Sequence, residues 1–179
     1  KYGLLSGLIS VGAKTFDFGN CFYSQMFYYS IFCDVDISVF ISGGENGVSL
    51  SFCEKGGIAL SRENIRRLEE ILTLGEFNRT SGAECHNVSV IESIEKMYEN
   101  EIVRQFEDVR LNFKGVLFCC GNSILDLCVK SIFKRLSIND DNEEFIAKIN
   151  NTGTRLTVVE KNENFSHEKI LAVGAFYEM

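Results

Sequence analysis

The run Val48-Ser-Leu-Ser-Phe-Cys-Glu-Lys-Gly-Gly-Ile-Ala-Leu-Ser-Arg-Glu-Asn-Ile-Arg-Arg-Leu-Glu-Glu-Ile-Leu72 changes its apolar period midway, and that change decides the fold class. Val48, Leu50 and Phe52 alternate with serines, which is the two-residue period of a strand. Gly56-Gly57 is a turn, and Ile58-Ala59-Leu60 is a short strand behind it. From Ser61 the period is helical. Ser61 is suited to cap a helix, and Glu63 lies in the first turn, where the helix dipole favours an acid. Ile65, Leu68, Ile71 and Leu72 share one face, while Glu63 with Arg67 and Arg66 with Glu70 are spaced to pair on the other. Gly75 closes the segment. The spacing predicts an amphipathic helix over 62–74 with Leu68 buried. Leu68→Ala would then cost ~2–5 kcal/mol.

Upstream of this run, Val35, Ile37, Val39 and Ile41 alternate with Asp36, Ser38 and Phe40. Gly43 to Gly47 reads as a five-residue hairpin loop joining that strand to the one at Val48. Residues 16–32 are dense in Phe and Tyr, residues that suit a pleated surface, so the first sixty residues read as strands. Downstream, a second helix is expected over about 89–107, and a strand from Val109 through Gly115 to Cys120. A third helix is expected behind a cap at Asn122 or Ser123. Asp140-Asp141-Asn142 reads as a break and 143–150 as a short helix. Strands are expected at 156–159 and 170–176 around a polar turn at 162–167. The class is α+β: an antiparallel sheet in the N-terminal half, an amphipathic helix, then mixed helices and strands. The length of 179 residues predicts one domain, with a strand-rich half over 1–75 and a mixed half over 88–179.

Composition limits the function classes. Apolar residues make up 45% and charged residues 24%, enough to bury a core without staples. A net charge of −7 disfavours a nonspecific hold on phosphate backbones. Proline and tryptophan are absent while Asn, Ile, Phe and Lys are plentiful, the codon bias of an AT-rich genome such as that of a large virus or parasite. The seven cysteines are odd in number, contain no Cys-x-x-Cys and lie mostly in apolar runs, so reduced and largely inaccessible thiols are expected. Sequons at Asn78, Asn87, Asn150 and Asn164 exceed chance only slightly. Residues 1–10 are apolar but too short and too weakly charged for a signal peptide. The expected compartment is cytoplasmic or nuclear, with secretion standing beside it. No apolar stretch is long enough to span a membrane.

Chemistry-bearing motifs are few. His86 and His167 are the only histidines, and neither sits in a Cys-His signature. Gly43 to Gly47 lacks the Gly-Lys-Ser/Thr ending of a phosphate loop, and no calcium loop is present. Neither enzymatic activity, nor a metal, nor a cofactor is expected.

The segment from the Lys55 turn to Leu72 resembles, together with the preceding strands from about residue 16 to residue 74, a known family. It is the single-stranded DNA-binding domain of positive-cofactor-four-type transcriptional coactivators and their plant Whirly relatives. The resemblance implies a curved sheet, homodimers, and a concave surface that binds melted strands. Lys55 would be the backbone-contacting lysine, Arg62 a further cation, and Tyr28, Tyr29, Phe40 and Phe52 the stacking residues. The chain departs from that family in lacking its helical tryptophan, and residues 16–53 contain no Lys or Arg. Two readings therefore stand: a non-enzymatic accessory protein that binds single-stranded nucleic acid in transcription or replication, and a structural or protein-interaction protein of viral type that binds none.

Overall fold

The computed structural model describes residues 1–44, 47–75, 77–92, 94–106, 115–140, 145–160 and 163–177. The fold is α+β. By their contacts the residues fall into two compact units, Lys1–Gly19 with Met26–Glu92 and Asn20–Gln25 with Ser93–Met179.

The first unit opens with helix α1 (Tyr2–Ser10), followed by a two-residue strand β1 (Phe16–Asp17). Helix α2 (Tyr23–Phe32), whose first three residues belong to the second unit, then occupies the aromatic-rich stretch, so the expectation of strands throughout the first sixty residues fails here. The reason is spacing. Met26, Tyr29 and Ser30 are all buried, and intervals of three and four residues place them on one helical face. That burial outweighs the β preference of Tyr and Phe, which depends strongly on context. The hairpin is formed by β2 (Ile37–Gly44) and β3 (Gly47–Glu54), which pair antiparallel up to Gly44 opposite Gly47. The strands thus continue into the expected loop, and Glu45 and Asn46 lie outside the described residues. Strand β4 (Ile58–Ala59) adds to the other edge of β3. Helix α3 (Arg62–Leu74) appears where the spacing predicts it. Strand β5 (Ser89–Val90), the start of the helix expected over 89–107, instead pairs parallel with β1.

In the second unit, helix α4 (Ile94–Phe106) precedes strand β6 (Leu117–Cys120). The expected strand from Val109 to Lys114 lies outside the described residues, as do Asp141 and Asn142 of the expected break. Helix α5 (Ser123–Arg135) is capped by Asn122, whose Oδ1 accepts from the N–H groups of Ile124 and Leu125 at 3.0 and 3.2 Å. Strand β7 (Phe145–Ile149) replaces the short helix expected over 143–150. A helix of that length is marginal alone, whereas as a strand the segment pairs on both sides. It is parallel to β6 and antiparallel to β8 (Leu156–Glu160). Strand β9 (Glu163–Phe165) lies in the expected polar turn, and helix α6 (His167–Tyr177) replaces the closing strand expected at 170–176. Ile170 N–H donates to the Ser166 carbonyl at 3.1 Å, and Glu168 sits in the first turn, where hydrogen bonds hold its carboxyl below the ordinary value.

The core of the second unit joins Phe22, Val103, Leu125, Cys128 and Ile132, with Tyr98, Cys120 and Ile149 packed against it. Phe22 meets Tyr98 edge-on at 5.5 Å, and Phe118 meets Phe133 at 6.1 Å. The β7–β8 turn is held by Asn150. Its Nδ2 donates to the Thr152 and Thr154 hydroxyls at 2.9 and 3.0 Å, and its Oδ1 accepts from Thr154 and Arg155 N–H at 2.8 and 3.0 Å. None of the seven cysteines forms a disulfide; Cys53 and Cys128 are buried and Cys85 and Cys119 exposed.

Burial pushes the Cys128 thiol up from 9.0 to about 12, and the Tyr98 hydroxyl up from 10.0 to about 12. Both groups stay neutral in the folded chain at a pH where the unfolded chain ionises them. Their contribution to stability is therefore full below pH 9 and lost as pH rises toward 12. Chemical denaturation across that range should show falling stability above pH 9. Cys128→Ala should flatten the slope whatever it does to the baseline; an unchanged slope would remove the thiol from this account.

Candidate interaction surface on the first sheet and α3

The register of β2 and β3 sorts their side chains into two faces. Ser38, Phe40 and Ser42 lie opposite Cys53, Ser51 and Ser49, so these six share one face. Ser38 and Cys53 are buried, which turns that face toward the interior at one end. The other face carries Ile37, Val39 and Ile41 with Glu54, Phe52 and Leu50, and Val48 beyond them. Ile58 joins it as the partner of Glu54 on β4. This face is apolar and largely open: Ile37 is 61%, Val48 73% and Ile58 66% exposed. The alternation of Val39 and Ile41 with Phe40 does point to two faces, but the more open one is the aliphatic face and not that of Phe40.

Between β3 and β4 runs a tight turn at Lys55–Gly57, with Gly56 and Gly57 both at positive φ. The Phe27 ring of α2 occupies the place a Cβ of Gly57 would take, so glycine is required there on two counts. Ser61 Oγ then accepts from Asn64 N–H at 3.2 Å, capping α3. Gly75, in the left-handed conformation, ends the helix by donating to the Ile71 carbonyl at 3.0 Å. Asn64 Nδ2 donates to Glu54 Oε1 at 2.6 Å, which ties the first turn of α3 to the aliphatic face of the sheet.

No residue of α3 is buried. Leu68, expected in the core, is 38% exposed, and Leu72 is 67% exposed. The caps and the amphipathic spacing build the helix, yet among the described residues nothing covers its apolar stripe. The cost of Leu68→Ala to the isolated chain therefore lies below the range expected for a core site.

The residues proposed from the resemblance are not gathered on one surface. Tyr28 and Tyr29 are on α2 and not on a strand; Tyr29 is fully buried against Phe18 and Tyr28. Phe40 and Phe52 are half-buried and point to opposite faces of the hairpin. Lys55 is exposed at its turn, where its ammonium meets Asp34 at 2.8 Å, and that bond raises its pKa above the ordinary lysine value. Arg62 is exposed at the first position of α3. Reading from the sequence missed the aliphatic face of Ile37, Val48, Leu50 and Ile58; the strand alternation was visible, but not which side lacks a cover.

No protein-family model matches the chain, and no curated protein is significantly similar to it. Among the described residues no group of three or more His, Cys, Asp or Glu could hold a metal ion, and no helix is long and apolar enough to cross a membrane.

Ser61→Ala is expected to lower stability by ~0.5–2 kcal/mol by removing the cap, and Ser61→Asp to retain it. Urea denaturation of the two variants checks this, and equal loss in both would deny the cap its role.

Proposed function

We propose that this chain is a protein-interaction module, and that it binds a second copy of itself through α3 and the adjoining aliphatic face of the sheet. The observation that carries this reading is a well-capped amphipathic helix with every apolar side chain open to solvent. A helix of this length is marginal alone, and contiguous exposed apolar surface marks interaction sites.

The charges on α3 favour a second copy as the partner. Arg62 and Glu69 are seven residues apart, so they lie on the same flank of the apolar stripe, two turns from each other. When two such helices pair antiparallel about a twofold axis, like flanks meet. With the axis crossing near Ile65 and Arg66, Arg62 of each copy lies beside Glu69 of the other, and both charges come from one sequence. A standard interface buries about 800 Å² per partner, which the sheet face helps α3 supply. The pairing of Lys55 with Asp34 and the burial of Tyr29 support this reading over a nucleic-acid groove.

Sedimentation at micromolar concentration should show a dimer. Leu68→Lys with Leu72→Lys should give a monomer whose secondary structure is retained. Glu69→Arg should weaken association, and adding Arg62→Glu should restore it. A monomeric wild type would overturn the proposal. Binding of a single-stranded oligonucleotide that weakens steeply with salt would return the chain to the nucleic-acid reading.

A further inference from the structure

The second unit has a shallow, open depression of about 550 Å³ at the C-terminal end of β6, lined by Cys119, Cys120, Gly121, Asp126, Lys130 and Lys148. Its size suits a small molecule. The register pairs Cys119 with Lys148 across the parallel β6–β7 ladder, so thiol and ammonium side chains stand on the same face of the sheet. From α5, Lys130 also lines the depression. Its ammonium is held above the ordinary lysine value first by its hydrogen bond to Asp126, with Asp140 and then Cys119 among the smaller causes. Lys130 is bound to Asp126 at 2.9 Å, whereas Lys148 forms no ion pair with any described residue. Asp126 is the one acid among the described lining residues, and Asp140 also acts on Lys130, so Lys148 is the lining cation that no described acid pairs.

The two adjacent cysteines have different surroundings. Cys119 is exposed, while Cys120 packs against the core. Cys120 Sγ accepts from Asn122 N–H at 3.4 Å and lies 3.9 Å from the Asn150 carbonyl. Neighbours on a strand point to opposite faces, and their Cα atoms, ~3.8 Å apart, are closer than an ordinary disulfide allows. The turn beyond is fixed as well. A Cβ at Gly121 would overlap the Asn151 side chain, and Asn122 Nδ2 donates to the Asn151 carbonyl at 2.9 Å.

We propose that Cys119 is a thiolation site for a small disulfide bearing carboxylates, of the glutathione class, held by Lys148 and Lys130. The Cys119 thiolate attacks one sulfur of the disulfide. A bond forms between the protein and that sulfur, the original S–S bond breaks, and the other half leaves as a thiolate that takes up a proton. The incoming disulfide is the oxidant. Cys120 borders the same depression, but its Sγ is engaged by Asn122 N–H and the Asn150 carbonyl and it packs against the core, so it is poorly placed to displace the adduct and the mixed disulfide persists.

Cys85, the other exposed thiol, provides an internal reference: it follows Glu84 in a loop, outside any such pair of lysines. The native protein is treated with anionic dithiobis(nitrobenzoate) or neutral dithiodipyridine, and labelling of each cysteine is followed by peptide mass mapping. The ratio of Cys119 to Cys85 labelling should be about 3- to 10-fold higher with the anionic reagent, the scale of one or two water-screened charges at close range. K130Q and K148Q should each lower that preference, and so should denaturant. Oxidised glutathione should leave its adduct on Cys119 with Cys120 unmodified. Equal ratios with the two reagents, an unmoved ratio in the K130Q/K148Q double variant, or a Cys119–Cys120 disulfide would each overturn the proposal.

Discussion

Eight consecutive cross-strand pairs, from Ile37–Glu54 to Gly44–Gly47, determine what the first unit presents to solvent. A slip of one residue in that ladder would exchange the two faces of the hairpin. In the observed register, serines and Cys53 go to one side, while Ile37, Val39, Ile41, Leu50 and Phe52 go to the other. The positive-φ turn at Gly56–Gly57 then returns β4 so that Ile58 extends the aliphatic side. The Asn64–Glu54 hydrogen bond sets the start of α3 against the same side. The open apolar surface thus follows from register and turn geometry, and not from any single residue.

What could be read from the sequence was local. α3 was legible because cap, dipole, period and closing glycine all agree within fifteen residues. The β2–β3 hairpin and the Asn122 cap of α5 were legible for the same reason. α2 was not, because Tyr and Phe carry a β preference that only burial at helical spacing overrides. β7 was not, because its identity comes from two partners distant in sequence. α6 was not, because Ile170 to Phe176 is apolar throughout and fits either period.

The candidate sites divide in the same way. The turn that carries Lys55 was visible, yet its ion pair with Asp34 depends on a residue twenty-one positions earlier. Conversely, nothing near Cys119 in the sequence announces Lys148, which the parallel register brings beside it. A lysine already bound to an acid and a lysine facing a depression look alike in a sequence; only the fold distinguishes them. Cys119 and Cys120 look alike in the sequence, and strand alternation is what makes them unlike each other.

The Asn150 turn bears on the timing of chemistry in the life of the chain. Asn150 begins a glycosylation sequon, but both hydrogens of its amide are engaged by threonine hydroxyls and its oxygen is shared by two backbone donors. One of those hydroxyls, that of Thr152, belongs to the sequon itself. A sugar-transferring enzyme needs that nitrogen and that hydroxyl in another arrangement, so it could use this sequon only before the hairpin closes. Asn78, Asn87 and Asn164 are exposed, although the sequon hydroxyls of Thr80 and Ser166 are engaged by Glu84 and Glu168. One three-residue motif, present four times, is thus given unlike surroundings by the fold, and only at Asn150 are both its amide and its hydroxyl taken up by a single turn.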